Sequence, residues 1–431
     1  MKILLIKPKW FVDGDPYNRY HDLTRVPPLG LGIIAALSEG HEVKIVDEDV
    51  EEIEYSPDWD LAGLTVVTFT AKSAYRISER FRSYGVKTVL GGPHPSLVPE
   101  EAGAYCDSVL IEEAETVWKK ILKDAERGFL QKVYYGGYLK NLDEVPLPRR
   151  DLFARSYFHS AIQFTRGCRN HCTFCYLQSV PWKEYRKRSP EHISREMSQI
   201  KGKYLFIIDD NLFIDRTYVK EVLKAISSSG KRWWIQASTS VAEDEEVLDL
   251  MVQSGCYAVS IGFQSVDHDS LSSAKAIHNI GKEYKRVVKN LHRREIFVAG
   301  YFMFGFDSEN ANIFRRTIET IKEMELDDAL LYILTPYPGT ELFKRLQMES
   351  RIIDCDWSKY SWYRCHFKPK YMSQEELEEG LKRAYLELNR YFRGEVFKKI
   401  WKNRGFLFRD IRLANRILRN HMNKVVLEKI P

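Results

Sequence analysis

The chain has 431 residues, 44% of them apolar and 13% aromatic, with a formal net charge of +5, the make-up of an ordinary globular protein of two or three domains. A charge that small for this length points to no nucleic-acid partner. No stretch approaches the ~18 uninterrupted apolar residues of a membrane span, and the opening Met1-Lys2-Ile3-Leu4-Leu5-Ile6-Lys7 is too short for a signal-peptide core. No transmembrane segment and a cytoplasmic, thiol-reducing location are therefore expected.

Lys2–Lys7, Glu42–Asp47, Leu61–Thr68, Val86–Leu90 and Ser108–Ile111 are short apolar runs rich in β-branched residues, each expected to be a strand. Between them, Leu31–Ser38, Ala71–Tyr84 and Glu113–Arg127 carry apolar residues at helical spacing. Strands alternating with helices predict an α/β fold, with a Rossmann-like doubly wound parallel sheet over residues 1–140. Such sheets bind ligands at the carboxyl ends of their strands. Those ends carry Thr68, Thr70, Gly91-Gly92-Pro93-His94 and Glu113-Ala114-Glu115. Paired glycines let backbone approach a flat ligand, and the hydroxyls and carboxylates can hydrogen-bond its amides. His94 can be read as a ligand contact or as a turn cap. Gly30 and Gly32 lack the third glycine of a dinucleotide fingerprint, and a front domain that keeps the fold without a cofactor is the rival reading.

Residues 141–160 open with a charged, proline-bearing join and are expected to link two domains. Alternation then resumes, with strands expected at Ala161–Thr165, Tyr204–Ile208, Trp233–Ala237, Ala258–Gly262, Val298–Phe304 and Leu330–Leu334. Helices fit at Glu191–Ile200, Tyr218–Ser227, Glu245–Val252, Lys282–Arg294 and Asn312–Met324. Six such units over residues 161–347 predict a partial (β/α)6 barrel, open on one side. Its chemistry should collect at the strand carboxyl ends, which carry the cysteine loop, Asp209-Asp210-Asn211, Ser238, Gln264-Ser265, Gly305 to Glu309 and Thr335 to Glu341.

The cysteine loop holds Cys168, Cys172 and Cys175, three of the chain's seven cysteines, at CxxxCxxC spacing. Three thiolates can ligate three irons of a cubane cluster and leave the fourth iron open, which makes the cluster a site for chemistry. A zinc site completed by His171, Cys256, Cys355 or Cys365 is the competing reading, although structural zinc more often pairs two such knuckles.

Residues 348–431 are expected to form a small helical C-terminal region. Trp357, Tyr360, Trp362, Tyr363, Phe367 and Tyr371 make an aromatic run that should pack across the open barrel edge or line the substrate entrance. Ser373-Gln374-Glu375-Glu376 reads as a cap before an amphipathic helix to Arg393. The basic, aromatic tail from Phe397 reads as a solvated face or as a surface for an acidic partner.

The cysteine loop, with Gly167 before it and Phe174 directly before its third cysteine, resembles the signature of the radical S-adenosylmethionine (SAM) enzymes. With Pro27-Pro28-Leu29-Gly30-Leu31-Gly32 in front and the polar strand ends behind, roughly residues 1 to 345 are similar to the cobalamin-dependent radical SAM methyltransferases. The resemblance implies a 4Fe-4S cluster on the three cysteines, SAM chelated to the open iron, and cobalamin in the front domain. It also implies an electron donor such as flavodoxin or ferredoxin. Carried over by position, Asp209 or Asp210 would sit near the methionine amino group, Ser238 and Gln264 near the ribose, and Phe174 and Gly305 beside adenine. Many relatives have Glu where this chain has Gln264. Leu29, Gly30, Thr68, Thr70, Gly91, Gly92, His94, Glu113 and Glu115 would surround cobalamin. The DxHxxG loop that gives cobalt a histidine in other cobalamin proteins is absent, which implies a lower face without one. The implied reaction is radical methylation of an unactivated carbon, with no general base required and Tyr337 only a nearby candidate. The substrate could be a protein side chain, such as Gln or Arg of methyl-coenzyme M reductase. Radical cyclisation, coupling or rearrangement is the enzymatic alternative, and an electron-transfer or zinc-bound interaction protein the non-enzymatic one.

Overall fold

The computed structural model describes residues 1–10, 25–180 and 183–402, so the basic tail expected from Phe397 lies outside the described side chains. In the front half, β1 (Lys2–Lys7), β2 (Glu42–Asp47), β3 (Leu61–Thr65), β4 (Lys87–Gly91), β5 (Ser108–Ile111) and β6 (Val133–Tyr135) form one sheet. All its pairings are parallel, in the order β2-β1-β3-β4-β5-β6. Strands buried on both faces need helices on both sides, supplied by α1 (Leu29–Leu37), α2 (Ala71–Ser83), α3 (Pro93–Leu97), α4 (Pro99–Gly103) and α5 (Trp118–Glu126). The strand order reverses between β1 and β3, so the crevice at their carboxyl ends is the ligand position of a doubly wound sheet.

Two expectations shift here. β3 stops at Thr65, because Thr70 Oγ1 takes the Val67 N–H at 3.2 Å and turns the chain into α2. The prolines at 93 and 99, each opening a helix with no N–H to satisfy, make two short helices, Pro93–Leu97 and Pro99–Gly103, in a stretch for which no helix is expected.

The second sheet contains β7 (Ser160–Ile162), β10 (Tyr204–Ile207), β11 (Arg232–Ala237), β12 (Cys256–Gln264), β13 (Phe297–Phe304) and β14 (Asp328–Ile333). Its order is β14-β13-β12-β11-β10-β7, parallel throughout, with β7 and β14 left as edges. This is the partial six-stranded barrel. Between β7 and β10, a short antiparallel pair, β8 (Thr165–Arg166) with β9 (Arg186–Lys187), closes the base of the cysteine loop. Around the sheet lie α6 (Pro190–Gln199), α7 (Arg216–Ile226), α8 (Glu245–Gln253), α9 (His268–Ser273), α10 (Tyr284–His292), α11 (Asn312–Met324) and α12 (Glu341–Met348). Ser189, Asp215, Asp244, Asp267 and Thr340 each accept a backbone N–H at a helix start. Each such cap stabilises by about 1 kcal/mol.

The C-terminal region straps the halves together. Trp357 and Tyr360 are buried in the front domain's core, while Cys365 and Phe367 are buried in the barrel's. The last helix, α13 (Gln374–Lys402), begins with a capping box, Glu376 N–H to Ser373 Oγ at 3.1 Å and Ser373 N–H to Glu376 Oε2 at 2.7 Å. Leu377, Leu381, Ala384, Tyr385, Leu388 and Phe392, at helical spacing, pack its inner face against the barrel. Residues 141–160 are packed as well, with Leu142 and Val145 buried against Leu29, Ile33 and Ala161.

Candidate active site

The cysteine loop leaves β8 through Gly167. Its φ is +88°, and a Cβ there would lie 2.1 Å from the Glu184 carbonyl oxygen. Only glycine allows this approach, which lets Cys168 N–H reach the Lys183 carbonyl at 3.2 Å. The loop's middle is pinned by Thr173, whose N–H donates to Ala274 O and whose carbonyl accepts from Leu342 N–H, both at 3.0 Å. Cys172 is buried, Cys168 and Cys175 half-buried. Burial and then repulsion from Cys175 and Cys168 push the Cys172 thiol up to about 12, and burial pushes Cys175 up to about 11. Three thiols gathered on one loop are the donor type that iron holds as thiolates.

The other cysteines stand apart from this triad. Cys256 Sγ donates to Ala258 O and Cys365 Sγ to Phe367 O, and Cys355 is exposed beside Asp354 and Glu101.

The two aspartates after β10 divide sharply. Asp209 is buried, with Oδ1 accepting Phe164 N–H at 2.7 Å and Oδ2 accepting Thr165 N–H at 2.8 Å and its hydroxyl at 2.7 Å. It ties β10 to β8 and has no face toward the open site. Asp210 instead takes Gly167 N–H at 2.8 Å through Oδ2 and is otherwise exposed. Although part of its side chain reaches solvent, the protein around the carboxyl desolvates it and raises its pKa against the pull of that N–H, Arg166 and Arg186. Asn211, beside it, is buried with Nδ2 3.9 Å from Cys168 Sγ.

The remaining expected SAM contacts lie at neighbouring strand ends. Ser238 shares a 2.7 Å hydrogen bond with Ser240. Gln264 has a φ of +68°, a strained position for a residue other than glycine. Phe174 packs edge-on to Phe306 at 6.4 Å, and Gly305 N–H donates to Glu309 at 2.8 Å. Glu309 is an anchor to which the sequence alone attached no role. Its carboxylate gathers Gly305 and Phe306 N–H with the Ser265 and Ser270 hydroxyls, and burial pushes its pKa up to about 7. Asn279, also missed, donates to the Gly262 and Phe263 carbonyls and accepts from Thr239, tying the ends of β11 and β12 together. A lone Asn between a histidine and an isoleucine carried no signal.

In the front domain several expected contacts are occupied elsewhere. His94 is 0% exposed, with Nε2 3.1 Å from Tyr75 Oη and Nδ1 3.3 Å from Thr68 Oγ1. Thr68 is thus engaged with it, and Thr70 caps its own turn. Burial raises Glu101, but hydrogen bonds from His94, Trp357 and Tyr75 hold it at about 2. Gly92, at φ +102°, would bring a Cβ to 2.9 Å from the Val66 carbonyl oxygen, so its need is internal to the sheet, with Gly91 as the last residue of β4. Leu29 starts α1 and is buried, and Gly30 has open space around it. Gly32 is the crowded one, packed against Phe153.

Glu113 accepts from Arg186 at 2.6 and 2.9 Å and sits 3.2 Å from Arg166, while Glu115 accepts from Arg166 at 2.6 Å. These carboxylates clasp the front domain to the strands β8 and β9 that carry the cysteine loop. After β1 and β3 lie Val67 and Phe69, apolar and half-open, and the exposed Trp10, whose ring has the Lys7 ammonium 5.1 Å from it. Among the described histidines of this domain, His94 is sealed and His41 lies at the amino end of β2.

A thiolate triad at the mouth of a partial barrel, clasped to a doubly wound domain, defines an iron–sulfur enzyme with a second cofactor domain. The model of the radical SAM superfamily matches residues 162–321, and that of the B12 binding domain residues 23–122. Bacteriochlorophyllide d C-12(1)-methyltransferase of Chlorobaculum tepidum is 33% identical over 389 residues, covering 86% of this chain and 82% of that one. Hopanoid C-3 methylase of Methylococcus capsulatus is 28% identical, covering 74% and 68%. In fold, the radical SAM methyltransferase TsrM from Kitasatospora setae, solved with cobalamin and a [4Fe-4S] cluster, superposes with a TM-score of 0.65 at 16% identity, over 81% of this chain and 78% of that one. The cobalamin-dependent radical enzyme OxsB gives 0.63 at 12% identity, over 99% and 72%. The chain belongs to the cobalamin-dependent radical SAM methyltransferases. It is a C-methylating enzyme whose cofactors are a [4Fe-4S] cluster, SAM and cobalamin. No helix among the described residues is long and apolar enough to cross a membrane.

Proposed function

We propose that the chain methylates an unactivated carbon of a small, ring-bearing molecule held between the two sheets. The observation that supports this is the Glu113–Arg186 clasp, which ties the strand pair carrying the cysteine loop to the carboxyl end of the front sheet. Bound there, the cofactors supply hydrogen-atom abstraction and a methyl group. Cys168, Cys172 and Cys175 would hold the cluster, and Asp210, Ser238, Gln264 and Phe174 would orient SAM beside it. Val67 and Phe69, half-open at the end of β3, would hold the corrin. Asp209 and Glu309 hold the strand ends that carry these groups. Tyr337 acts as no base, since its hydroxyl already accepts from Trp362 at 2.6 Å and burial raises its pKa.

The relatives' substrates, a bacteriochlorophyllide and hopanoids, favour a ring-bearing small molecule over the side chain of a protein such as methyl-coenzyme M reductase. An acidic one-electron donor such as flavodoxin or ferredoxin is the partner that fits the exposed Arg169, His171 and Lys183 around the loop. Anaerobically reconstituted protein with SAM and a reductant should form 5′-deoxyadenosine. Cys172→Ala should abolish that product and leave cobalamin binding intact. Cleavage persisting in that variant would sink the reading.

A further inference from the structure

Five aromatic rings run without a break from the carboxyl end of β1 into the barrel lumen. Trp10 meets Phe69 at 5.4 Å, Phe69 meets Trp362 at 5.4 Å, Trp362 meets Tyr332 at 5.7 Å and Tyr332 meets Tyr301 at 6.0 Å, all edge-to-face. Trp10 and Phe69 follow β1 and β3, at the crevice of the front sheet. Tyr301 and Tyr332 are the half-open positions of β13 and β14, between neighbours that are buried against the helices. Trp362 bridges the two sets. Its carbonyl accepts Ile333 N–H at 2.7 Å, and its indole N–H donates to Tyr337 Oη at 2.6 Å.

Phe69, Trp362, Tyr332 and Tyr301 all keep part of their surface open. Large rings left half-covered in a row are a surface that something else covers. At the barrel end of the row the polar atoms are neutral, whereas at its outer end the Lys7 ammonium stands 5.1 Å from the Trp10 ring. The Gln236 amide lies 3.5 Å from Tyr301 Oη, and burial keeps the Tyr301, Tyr332 and Tyr337 hydroxyls protonated. The ionisable side chain that acts on both Tyr301 and Tyr332 from outside the row is Asp328, a buried carboxylate that would repel an anion. Deeper in the lumen Tyr204, Phe206 and Trp234 close the floor, so a ligand enters from the open side and lies along the wall.

We propose that this aromatic row is the substrate wall, and that it takes a flat, uncharged ring system with an oxygen acceptor directed at Tyr301 and Gln236. The proposal rests on the methyl-transfer reading, because the row starts at the crevice of the front sheet and ends on the barrel strands β13 and β14.

The test uses full-length protein loaded with cluster and cobalamin, titrated with 1-hydroxypyrene and followed by the probe's fluorescence anisotropy. Saturable binding is expected, weakened about tenfold by Tyr332→Leu or Trp362→Leu, the scale of one aromatic contact. Tyr84→Leu, at an exposed ring on the far surface, should change nothing. Tyr301→Phe keeps the ring and should weaken 1-hydroxypyrene more than pyrene. A short peptide carrying glutamine and arginine should not displace the probe. No saturation, equal binding by the wall variants, or displacement by the peptide overturns the proposal. Each variant is checked first for its cluster absorbance. Protein that forms 5′-deoxyadenosine yet binds no probe refutes the wall alone, whereas absence of that product refutes the reaction.

Discussion

Replacing Glu113 with Ala should loosen the contact between the cofactor domains more than any other single carboxylate change. Its side chain is 7% exposed and Arg186's is 4%, so the pair sits in a poorly screened setting. Arg186 gives it two hydrogen bonds, at 2.6 and 2.9 Å, Leu139 N–H a third at 3.0 Å, and Arg166 stands 3.2 Å away. Removing one partner of a buried pair leaves the other charge uncompensated and costs about 3–5 kcal/mol. Part of that is recovered here, because Arg186 also donates to the Leu139 carbonyl at 2.6 Å; about 2–4 kcal/mol is the expected loss. Urea unfolding of the cofactor-loaded protein measures it, and the double variant with Arg186→Met should cost less than the two single changes added. A second readout is the ratio of 5′-deoxyadenosine formed to methyl groups transferred, which should rise as the domains separate. Burial alone would raise the Glu113 pKa, but Arg186 and Arg166 hold it below the ordinary carboxylate value. The folded state therefore binds this proton less readily than the unfolded one. The stabilisation is present above about pH 4.5 and is lost as pH falls through the depressed value. A cost below about 0.5 kcal/mol with an unchanged ratio would refute the clasp.

Asp209→Asn should lower stability by about 1.5–3 kcal/mol, because one amide oxygen cannot serve three donors, and cluster content should fall with it. The Asp209 carboxyl, pushed up to about 7 by burial, should titrate near neutrality in infrared difference spectra. With the folded value above the unfolded one, its contribution is fully present at low pH and is lost as pH rises toward 7. His94→Leu should destabilise the front domain by about 1–3 kcal/mol, by stranding Tyr75 and Glu101. In the unchanged protein, the paramagnetic spectrum of the cob(II)alamin form should show no nitrogen splitting, and a split signal would return His94 to the cobalt. Gly167→Ala should prevent cluster loading, read from absorbance after reconstitution, because its Cβ meets the Glu184 backbone.

Period and spacing are local quantities, and what they govern was readable along the chain. Both parallel sheets, most of the helices, the capping box at Ser373 and the cysteine triad at 168, 172 and 175 follow from patterns a few residues long. The same patterns could not divide Asp209 from Asp210, because neighbours on a strand end differ only in which way each points. They pointed Glu113, Glu115 and His94 at a ligand, whereas folding brought two arginines, a tyrosine and a tryptophan to them first. Trp357 meets Glu101 across 256 residues of chain, and the aromatic row gathers rings from the front domain, the barrel and the C-terminal strap. Pairings that distant are chosen by which faces the two sheets turn toward each other, and only the folded chain holds that information.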